Sequence, residues 1–159
     1  MRTILSFAFI FIFSVTLRAQ TSDDVTLVQS LWGMEKRAMV EEYMDLSPAE
    51  APGFWSQYDA YEEARKSLGR ERIGLINEYV ENYGSLTDEK ATELIKGAAS
   101  NNIALQKLLQ KTFKNMSKVI SPVKAAQFVQ LENYLMSMIQ LSIQDELPFI
   151  GELEEMVDD

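Results

Sequence analysis

Three short segments of the chain each have the pattern of an α-helix start. They read Leu46-Ser47-Pro48-Ala49-Glu50, Leu86-Thr87-Asp88-Glu89-Lys90 and Ile120-Ser121-Pro122-Val123-Lys124. In each, a Ser or Thr that can cap a helix follows an apolar residue, and Pro or Asp suits the first helical position. Glu50 is also spaced to bond back to Ser47, as in a capping box. No Asn-Gly or Asp-Gly hairpin turn lies between alternating apolar runs. The sequence therefore predicts an all-α fold of four helices.

The helix boundaries follow from these starts and from the residues that stop helices. The first helix is predicted to begin after Ser22 or Asp23 and to end near Asp45. The second covers Pro48–Tyr83, with Gly84 as a left-handed C-cap, and the third covers residues 88–120. The fourth runs from Pro122 to about Gln144, because Pro148 stops it. The second and third helices would measure about 54 and 50 Å, so we expect them to form a long antiparallel hairpin.

Apolar residues at three- and four-residue spacing predict which face of each helix is buried. In the first helix this stripe is Leu27, Leu31, Met34 and Ala38, widened by Val28 and Trp32. In the fourth helix it is Ala126, Val129, Leu131, Leu135, Met138 and Ile139.

The N-terminus has the pattern of a secretory signal peptide. Arg2 precedes an uncharged, largely apolar run from Ile4 to Thr16, and the small residue Ala19 precedes a polar segment. We expect cleavage after Ala19, export to the periplasm, and no membrane span in the mature chain. Residues 20–150 are then a single helical domain, and residues 151–159 are an acidic tail that is expected to fray.

Charge limits the partners that such a chain can bind. Removing residues 1–19 takes away Arg2 and Arg18 and no acidic residue, which changes the formal net charge from −9 to −11. Nucleic acid is a poor partner for so acidic a chain, because binding it requires Lys and Arg to neutralise phosphates. A cationic or largely apolar protein partner fits better.

The composition gives little support for catalysis or metal binding. The chain has no His and no Cys, so the usual zinc ligands and the usual general base at neutral pH are missing. The adjacent acids Glu41-Glu42, Glu62-Glu63 and Glu154-Glu155 point about 100° apart on a helix, and we interpret them as solvated faces. Five Met residues could form a thioether site, but we interpret them as core fillers: Met34, Met39, Met44, Met136 and Met138. We therefore expect neither an enzyme nor a cofactor.

The three helix starts, in an exported four-helix chain, resemble the LTxxQ repeat of the Spy and CpxP family of bacterial periplasmic proteins. The segment from Glu50 to Tyr61 and the segment Phe128–Leu135 also resemble secreted relatives of that family. The Gln that names the repeat is replaced here by Glu50, Lys90 and Lys124. The resemblance implies a curved helical hairpin, often paired as a homodimer, that holds non-native envelope proteins. In some members the activity is instead contact with a membrane sensor kinase.

An aromatic series in the second helix is the candidate protein-binding surface. Its members are Phe54, Trp55, Tyr58, Tyr61, Tyr79 and Tyr83. Because a single hairpin has a thin core, these rings could remain on an open apolar surface, although core packing against the first and fourth helices competes with that interpretation. Two functional hypotheses follow. The chain is a chaperone-like protein of envelope stress that holds non-native proteins, or it is a regulator that binds one envelope partner such as a sensor kinase domain.

Overall fold

The computed structural model describes the backbone of residues 22–148 and the side chains of residues 33–145, 147 and 148. It contains four α-helices: α1 (Ser22–Met44), α2 (Ala51–Asn82), α3 (Asp88–Met116) and α4 (Pro122–Glu146). A 3-10 turn, Tyr83–Ser85, joins α2 to the segment before α3. No strand occurs in this part of the chain, and the predicted all-α class is confirmed. The predicted signal peptide, the acidic tail and the stripe residues Leu27, Val28, Leu31 and Trp32 lie outside the described backbone or side chains.

Two of the three predicted helix caps form as expected. The Thr87 side chain accepts a hydrogen bond from the Lys90 backbone N–H at 3.2 Å, and the Ser121 side chain accepts one from the Lys124 N–H, also at 3.2 Å. Each bond satisfies one of the N–H groups that the first turn of a helix leaves unpaired. These local bonds explain why α3 and α4 begin where the sequence predicts.

The start of α2 differs from the prediction. Glu50 bonds back as expected, because its Oε2 accepts hydrogen bonds from the Ser47 N–H at 3.1 Å and the Ser47 hydroxyl at 2.7 Å. The helix nevertheless begins at Ala51 rather than at Pro48. Ala51 donates to the Ser47 carbonyl at 3.0 Å, but Pro52 has no N–H and cannot continue that series.

Three chain reversals connect the helices, and two of them differ from the prediction. Gly84 does not adopt the left-handed conformation, because α2 tightens into the 3-10 turn instead. The third helix ends at Met116 rather than at residue 120. After Met116 the backbone forms turns with three-residue hydrogen bonds, such as that from the Val119 N–H to the Met116 carbonyl at 2.9 Å. Asp45 is the one non-glycine residue in the described backbone with a positive φ, 42°, and it ends α1.

Helices α2 and α3 run antiparallel and pack closely. Arg72 donates a hydrogen bond to the Asn102 side chain at 3.0 Å. Gly97 permits the close approach, because a Cβ atom there would lie 2.7 Å from a methyl carbon of Leu75. Gly74, by contrast, faces open space.

Helices α1 and α4 cover one side of this pair. Hydrogen bonds from side chains place α1 antiparallel to α2 and α4, and α4 parallel to α2. Three of them join two side chains, Lys36–Glu62, Lys36–Glu132 and Tyr61–Glu132, and two end on the backbone carbonyls of Asp45 (from Lys124) and Pro148 (from Tyr79). The four helices therefore alternate in direction, as in an up-down-up-down bundle.

The main core lies at one end of the bundle, where α1 and α3 finish and α2 and α4 begin. Its buried members are Val40, Met44, Phe54, Tyr58, Tyr61, Leu109, Met116, Ile120, Ala125 and Phe128. Fully burying a large apolar side chain contributes roughly 1.5–3 kcal/mol.

No helix in the described residues is long and apolar enough to cross a membrane.

The predicted stripe of α1 is wrong in its C-terminal half. Met34 and Ala38 are exposed, whereas Lys36, Val40 and Met44 are buried at four-residue spacing. A charged residue occupies a core position on this face, so a search for apolar periodicity assigns the wrong side of the helix. In α4, likewise, Ala126 and Met138 are exposed, and the buried Phe128 and Ala125 are missing from the predicted stripe.

Candidate functional site

The aromatic series does not form the predicted binding surface. Phe54, Tyr58 and Tyr61 are almost completely buried, so this prediction is wrong for all three residues. The ring of Phe128 on α4 packs edge-on against each of them, with centroid distances of 5.6, 5.9 and 5.6 Å. The competing interpretation, core packing against the first and fourth helices, holds for these three residues, because α1 and α4 cover the N-terminal half of α2.

The other three members of the series are partly buried and lie in two separate places. Trp55 is stacked beneath the Arg37 guanidinium, whose central carbon lies 4.1 Å from the ring centroid. Tyr79 donates a hydrogen bond to the Pro148 carbonyl at 2.6 Å, and burial raises the pKa of its hydroxyl. Tyr83 packs edge-on against Tyr79 at the far end of α2, with centroids 5.8 Å apart. The six residues therefore do not share one surface.

A buried group of charges joins three helices next to the aromatic core. Lys36 of α1 is 2% exposed, Glu62 of α2 is 7% exposed and Glu132 of α4 is 0% exposed. Lys36 Nζ lies 2.5 Å from Glu62 Oε1, and it lies 2.7 and 2.8 Å from the two carboxylate oxygens of Glu132. One ammonium therefore bridges two carboxylates from two different helices.

Arg65 and Tyr61 complete this buried charge network. Arg65 donates two hydrogen bonds to Glu62, each at 3.0 Å, and the Tyr61 hydroxyl donates one to Glu132 at 2.6 Å. Burial alone would raise the pKa of Glu62, but hydrogen bonding and charge from Arg65 and Lys36 lower it below its ordinary value. Two cations and two anions balance, so the network carries no net charge when all four groups are ionised.

The buried charge network corrects one prediction and contains residues that sequence reasoning missed. Glu62 is not part of a solvated face, although Glu63, Glu41 and Glu42 are exposed as predicted. Lys36 and Glu132 were not singled out at all. The sequence does contain a signal for these two residues. Lys36 lies four residues before Val40, and Glu132 lies four residues after Phe128, so each charge is on the same helix face as a buried apolar residue. The two charges also have opposite signs.

Two of the helix-start residues form an ion pair with each other. Lys124 Nζ lies 2.7 Å from Glu50 Oε2, which links the start of α4 to the start of α2. Lys124 also donates a hydrogen bond to the Asp45 carbonyl at 3.2 Å. The hydrogen bond from Lys124, with those from Ser47, lowers the pKa of Glu50 to about 2. Glu50 and Lys124 thus join two helix starts that are far apart in sequence.

The outward side of α4 carries no charge, and three large apolar or aromatic side chains lie exposed on it among Gln, Asn and Ser residues. Tyr134, Met138 and Leu141 are 62%, 54% and 60% exposed, and their spacing of four and three residues places them on one face. Between Lys124 and Asp145 the only charged residue is Glu132, and it is buried. Protein-binding surfaces are depleted in charge at their centre and enriched in Tyr and Met. We call Tyr134, Met138 and Leu141 the α4 face.

The methionines are divided between core and surface. Met44 is buried and Met136 is partly buried, as predicted. Met34, Met39 and Met138 are exposed, so their interpretation as core fillers is wrong. The described residues contain no group of three or more His, Cys, Asp or Glu side chains that could hold a metal ion.

Comparison of the chain with protein-family models, with curated proteins and with solved structures gave no match. The function is therefore inferred from the exposed and buried side chains, together with the resemblance at the helix starts. The structure offers two distinctive features, the exposed α4 face and the buried charge network.

Proposed function

We propose that this is an exported, non-enzymatic protein of the Spy and CpxP type, which holds non-native proteins on the α4 face. The observation that carries the proposal is the exposure of Tyr134, Met138 and Leu141 on a helix without surface charge from residue 125 to residue 144. Burying such a face against a partner removes apolar area from water without desolvating charges.

The composition indicates which clients would bind. Without residues 1–19, a formal net charge of −11 surrounds the α4 face, which itself carries no charge. The overall field attracts cationic segments, whereas the face itself accepts apolar and aromatic side chains. The favoured client is therefore an unfolded segment in which apolar residues are flanked by Lys or Arg.

The size of the α4 face fits transient holding. Full burial of a large apolar side chain contributes roughly 1.5–3 kcal/mol, and these three side chains are already partly covered. Association costs about 4 kcal/mol or more in lost translational and rotational freedom. One such face therefore binds weakly and reversibly, which suits a protein that must release its client.

An aggregation assay tests the proposal. The chain lacking residues 1–19 should reduce light scattering by a chemically unfolded, aggregation-prone client at equimolar ratio and without ATP. The variant Tyr134→Ser/Met138→Ser/Leu141→Ser should lose most of that effect. Ile95→Ser/Ile103→Ser is the matched control, because both residues are exposed apolar side chains on α3, and it should behave as wild type. Equal suppression of aggregation by both variants would contradict binding at the α4 face. No suppression by the wild-type chain at severalfold excess would contradict the chaperone-like function.

The alternative is a regulator that binds one folded partner, such as the sensor domain of an envelope kinase, through the same face. Affinity capture from envelope extracts distinguishes the two functions, because a chaperone retains many proteins and a regulator retains one. A single partner that saturates at one per chain, together with no effect on unfolded clients, would favour the regulator.

A further inference from the structure

One segment of the chain differs sharply in charge from the rest. Residues 94–131 contain six Lys and no Asp or Glu, whereas the whole chain has a formal net charge of −9. The segment covers most of α3, the turn after it and the first part of α4. The positive and negative charges of the chain are therefore separated along the sequence, and the C-terminal half of α3 is purely basic.

Four of these lysines lie together on the outer side of the bundle. Lys107, Lys111 and Lys114 are exposed, and at 100° per residue they share a sector of about 60° on α3. Lys118 lies two residues beyond the end of α3 and is also exposed. The opposite side of the same helix is buried. We call these four residues the lysine patch, which spans about 17 Å along the chain direction of α3.

The lysine patch has no acidic partner among the described residues. None of the ion pairs there includes any of its four ammonium groups, whereas Lys36, Lys90 and Lys124 each contact a carboxylate. Like charges that are three or four residues apart on a helix repel one another and destabilise it. An external partner that supplies negative charge would relieve this repulsion.

Exposed apolar side chains follow the lysine patch directly in the chain. Val119, in the turn between α3 and α4, is 40% exposed, and Val123 in the first turn of α4 is 70% exposed. Glu50, the acidic residue that contacts this start of α4, is already paired with Lys124. Lys together with exposed apolar side chains is the composition that binds the boundary between lipid headgroups and acyl chains.

The chemistry of the lysine patch favours a lipid surface over other anionic partners. Residues 94–131 contain no Arg, the residue whose planar fork recognises a single carboxylate or phosphate in a fixed geometry. Phe113, the one aromatic residue of α3, lies about 100° from Lys114 and outside the lysine sector, so no ring of α3 is placed there to stack on a nucleic-acid base. The convex outer side of a helix also suits a flat surface of many phosphates better than a single strand.

We propose that the lysine patch and the turn after it bind the surface of an anionic phospholipid membrane. The four ammonium groups contact headgroup phosphates, and Val119 and Val123 reach the boundary of the acyl chains. Charges more than about 8 Å away are largely screened at physiological ionic strength, so the membrane responds to the lysines rather than to the net negative charge of the chain. This site goes beyond the proposed function and shares no residue with the α4 face.

Co-sedimentation with vesicles tests the proposal on the chain lacking residues 1–19. This chain should bind vesicles of phosphatidylcholine that contain one third phosphatidylglycerol, should be released by high salt, and should not bind vesicles of phosphatidylcholine alone. Lys107→Gln/Lys111→Gln/Lys114→Gln should weaken binding about tenfold or more. Arg37→Gln/Arg70→Gln/Lys90→Gln is the matched control, because it removes the same charge from α1, α2 and α3 outside the patch, and its binding should stay close to that of wild type.

Three outcomes of the vesicle experiment would overturn the proposal. They are equal weakening by the two triple variants, equal binding to both kinds of vesicle, and binding to a single-stranded oligonucleotide without binding to anionic vesicles. The last result would assign the lysine patch to a soluble polyanion. The variant of the α4 face should bind vesicles as wild type does, so that failure of the membrane proposal and failure of the proposed function are distinguishable.

A fluorescence measurement tests the orientation of the chain on the membrane. The chain has no Cys, so Val123→Cys and Ile95→Cys each provide a single thiol for a polarity-sensitive dye, at side chains that are 70% and 65% exposed. On anionic vesicles the emission of the dye at position 123 should shift to shorter wavelength, and the emission at position 95 should not. An equal shift at both positions, or none at position 123 in vesicle-bound protein, would contradict the proposed orientation.

Discussion

The balance of charge around Lys36 predicts a large non-additive effect of two substitutions. In Lys36→Met, Arg65 still pairs with Glu62 but Glu132 loses its cation, and the buried charge network carries one net negative charge. In Glu132→Met it carries one net positive charge. In the double variant, Glu62 and Arg65 remain as a neutral pair. Each single change therefore leaves an uncompensated buried charge, whereas the double change does not.

The magnitudes follow from the burial of the pair. Removing one partner of a buried ion pair costs about 3–5 kcal/mol, whereas replacing both partners by apolar residues of similar volume is often neutral or stabilising. The double variant also leaves the Tyr61 hydroxyl without its acceptor, which costs about 1–3 kcal/mol. We therefore expect each single variant to lose about 3 kcal/mol or more, and the double variant to lose no more than either single variant.

Urea denaturation followed by circular dichroism measures the four free energies of unfolding in this cycle. We expect a coupling free energy of about 3 kcal/mol or more for Lys36 and Glu132. The pair Arg37–Asp59 is the control, because its side chains are 44% and 62% exposed, and its coupling should stay below about 1 kcal/mol. Additive losses at Lys36 and Glu132 would refute the electrostatic reasoning.

Three further predictions concern acid, alkali and helix packing. The pKa of Glu50 is lowered from 4.5 to about 2. The contribution of Glu50 to stability is therefore complete above pH 4.5 and is lost as the pH falls towards 2. Carboxyl NMR should show the pKa of Glu50 move towards 4.5 in Lys124→Met. Burial, with the charge and hydrogen bond of Glu132, raises the pKa of Tyr61. The folded state therefore loses stability as the pH rises above 10. Ultraviolet absorbance should show that Tyr61 ionises only when the protein unfolds. Gly74→Ala should raise the free energy of unfolding by about 0.5–1 kcal/mol. Gly97→Ala should raise it by less, because the added Cβ would contact the Leu75 side chain on α2. Thermal denaturation compares the two variants.

The starts of α3 and α4 could be predicted because capping depends on neighbouring residues. Thr87 and Ser121 each bond to the N–H three residues later, and the sequence shows that spacing directly. The end of α2 could not be predicted in the same way. Gly84 permits a left-handed cap but does not require one, and the turn that forms is 3-10 instead.

The burial of the aromatic series depends on contacts that are distant in sequence. The spacing of Phe54, Tyr58 and Tyr61 shows that they share a face, but not what covers that face. The covering residues are Val40 and Met44 at the end of α1 and Phe128 on α4, and Phe128 is far away in sequence. The sequence therefore identified the common face and allowed both a core and an open surface for it, and the structure shows that these three rings lie in the core.

The two sites differ in how far the sequence reveals them. The uncharged outer side of α4 is visible as the lack of charge between Lys124 and Asp145, apart from Glu132. The position of Tyr134 on that exposed side requires the helix to be placed in the bundle. The buried charge network required three helices in register, because Lys36, Glu62 and Glu132 lie on α1, α2 and α4.

We propose that non-native protein binds the α4 face of this chain. Methyl NMR of the chain labelled at methionine tests this binding directly, because Met138 lies on that face and Met34 is an exposed control on α1. On addition of an unfolded client, we expect the Met138 methyl signal to shift and broaden while the Met34 signal stays unchanged. Binding of the client with no change at Met138 would contradict the claim.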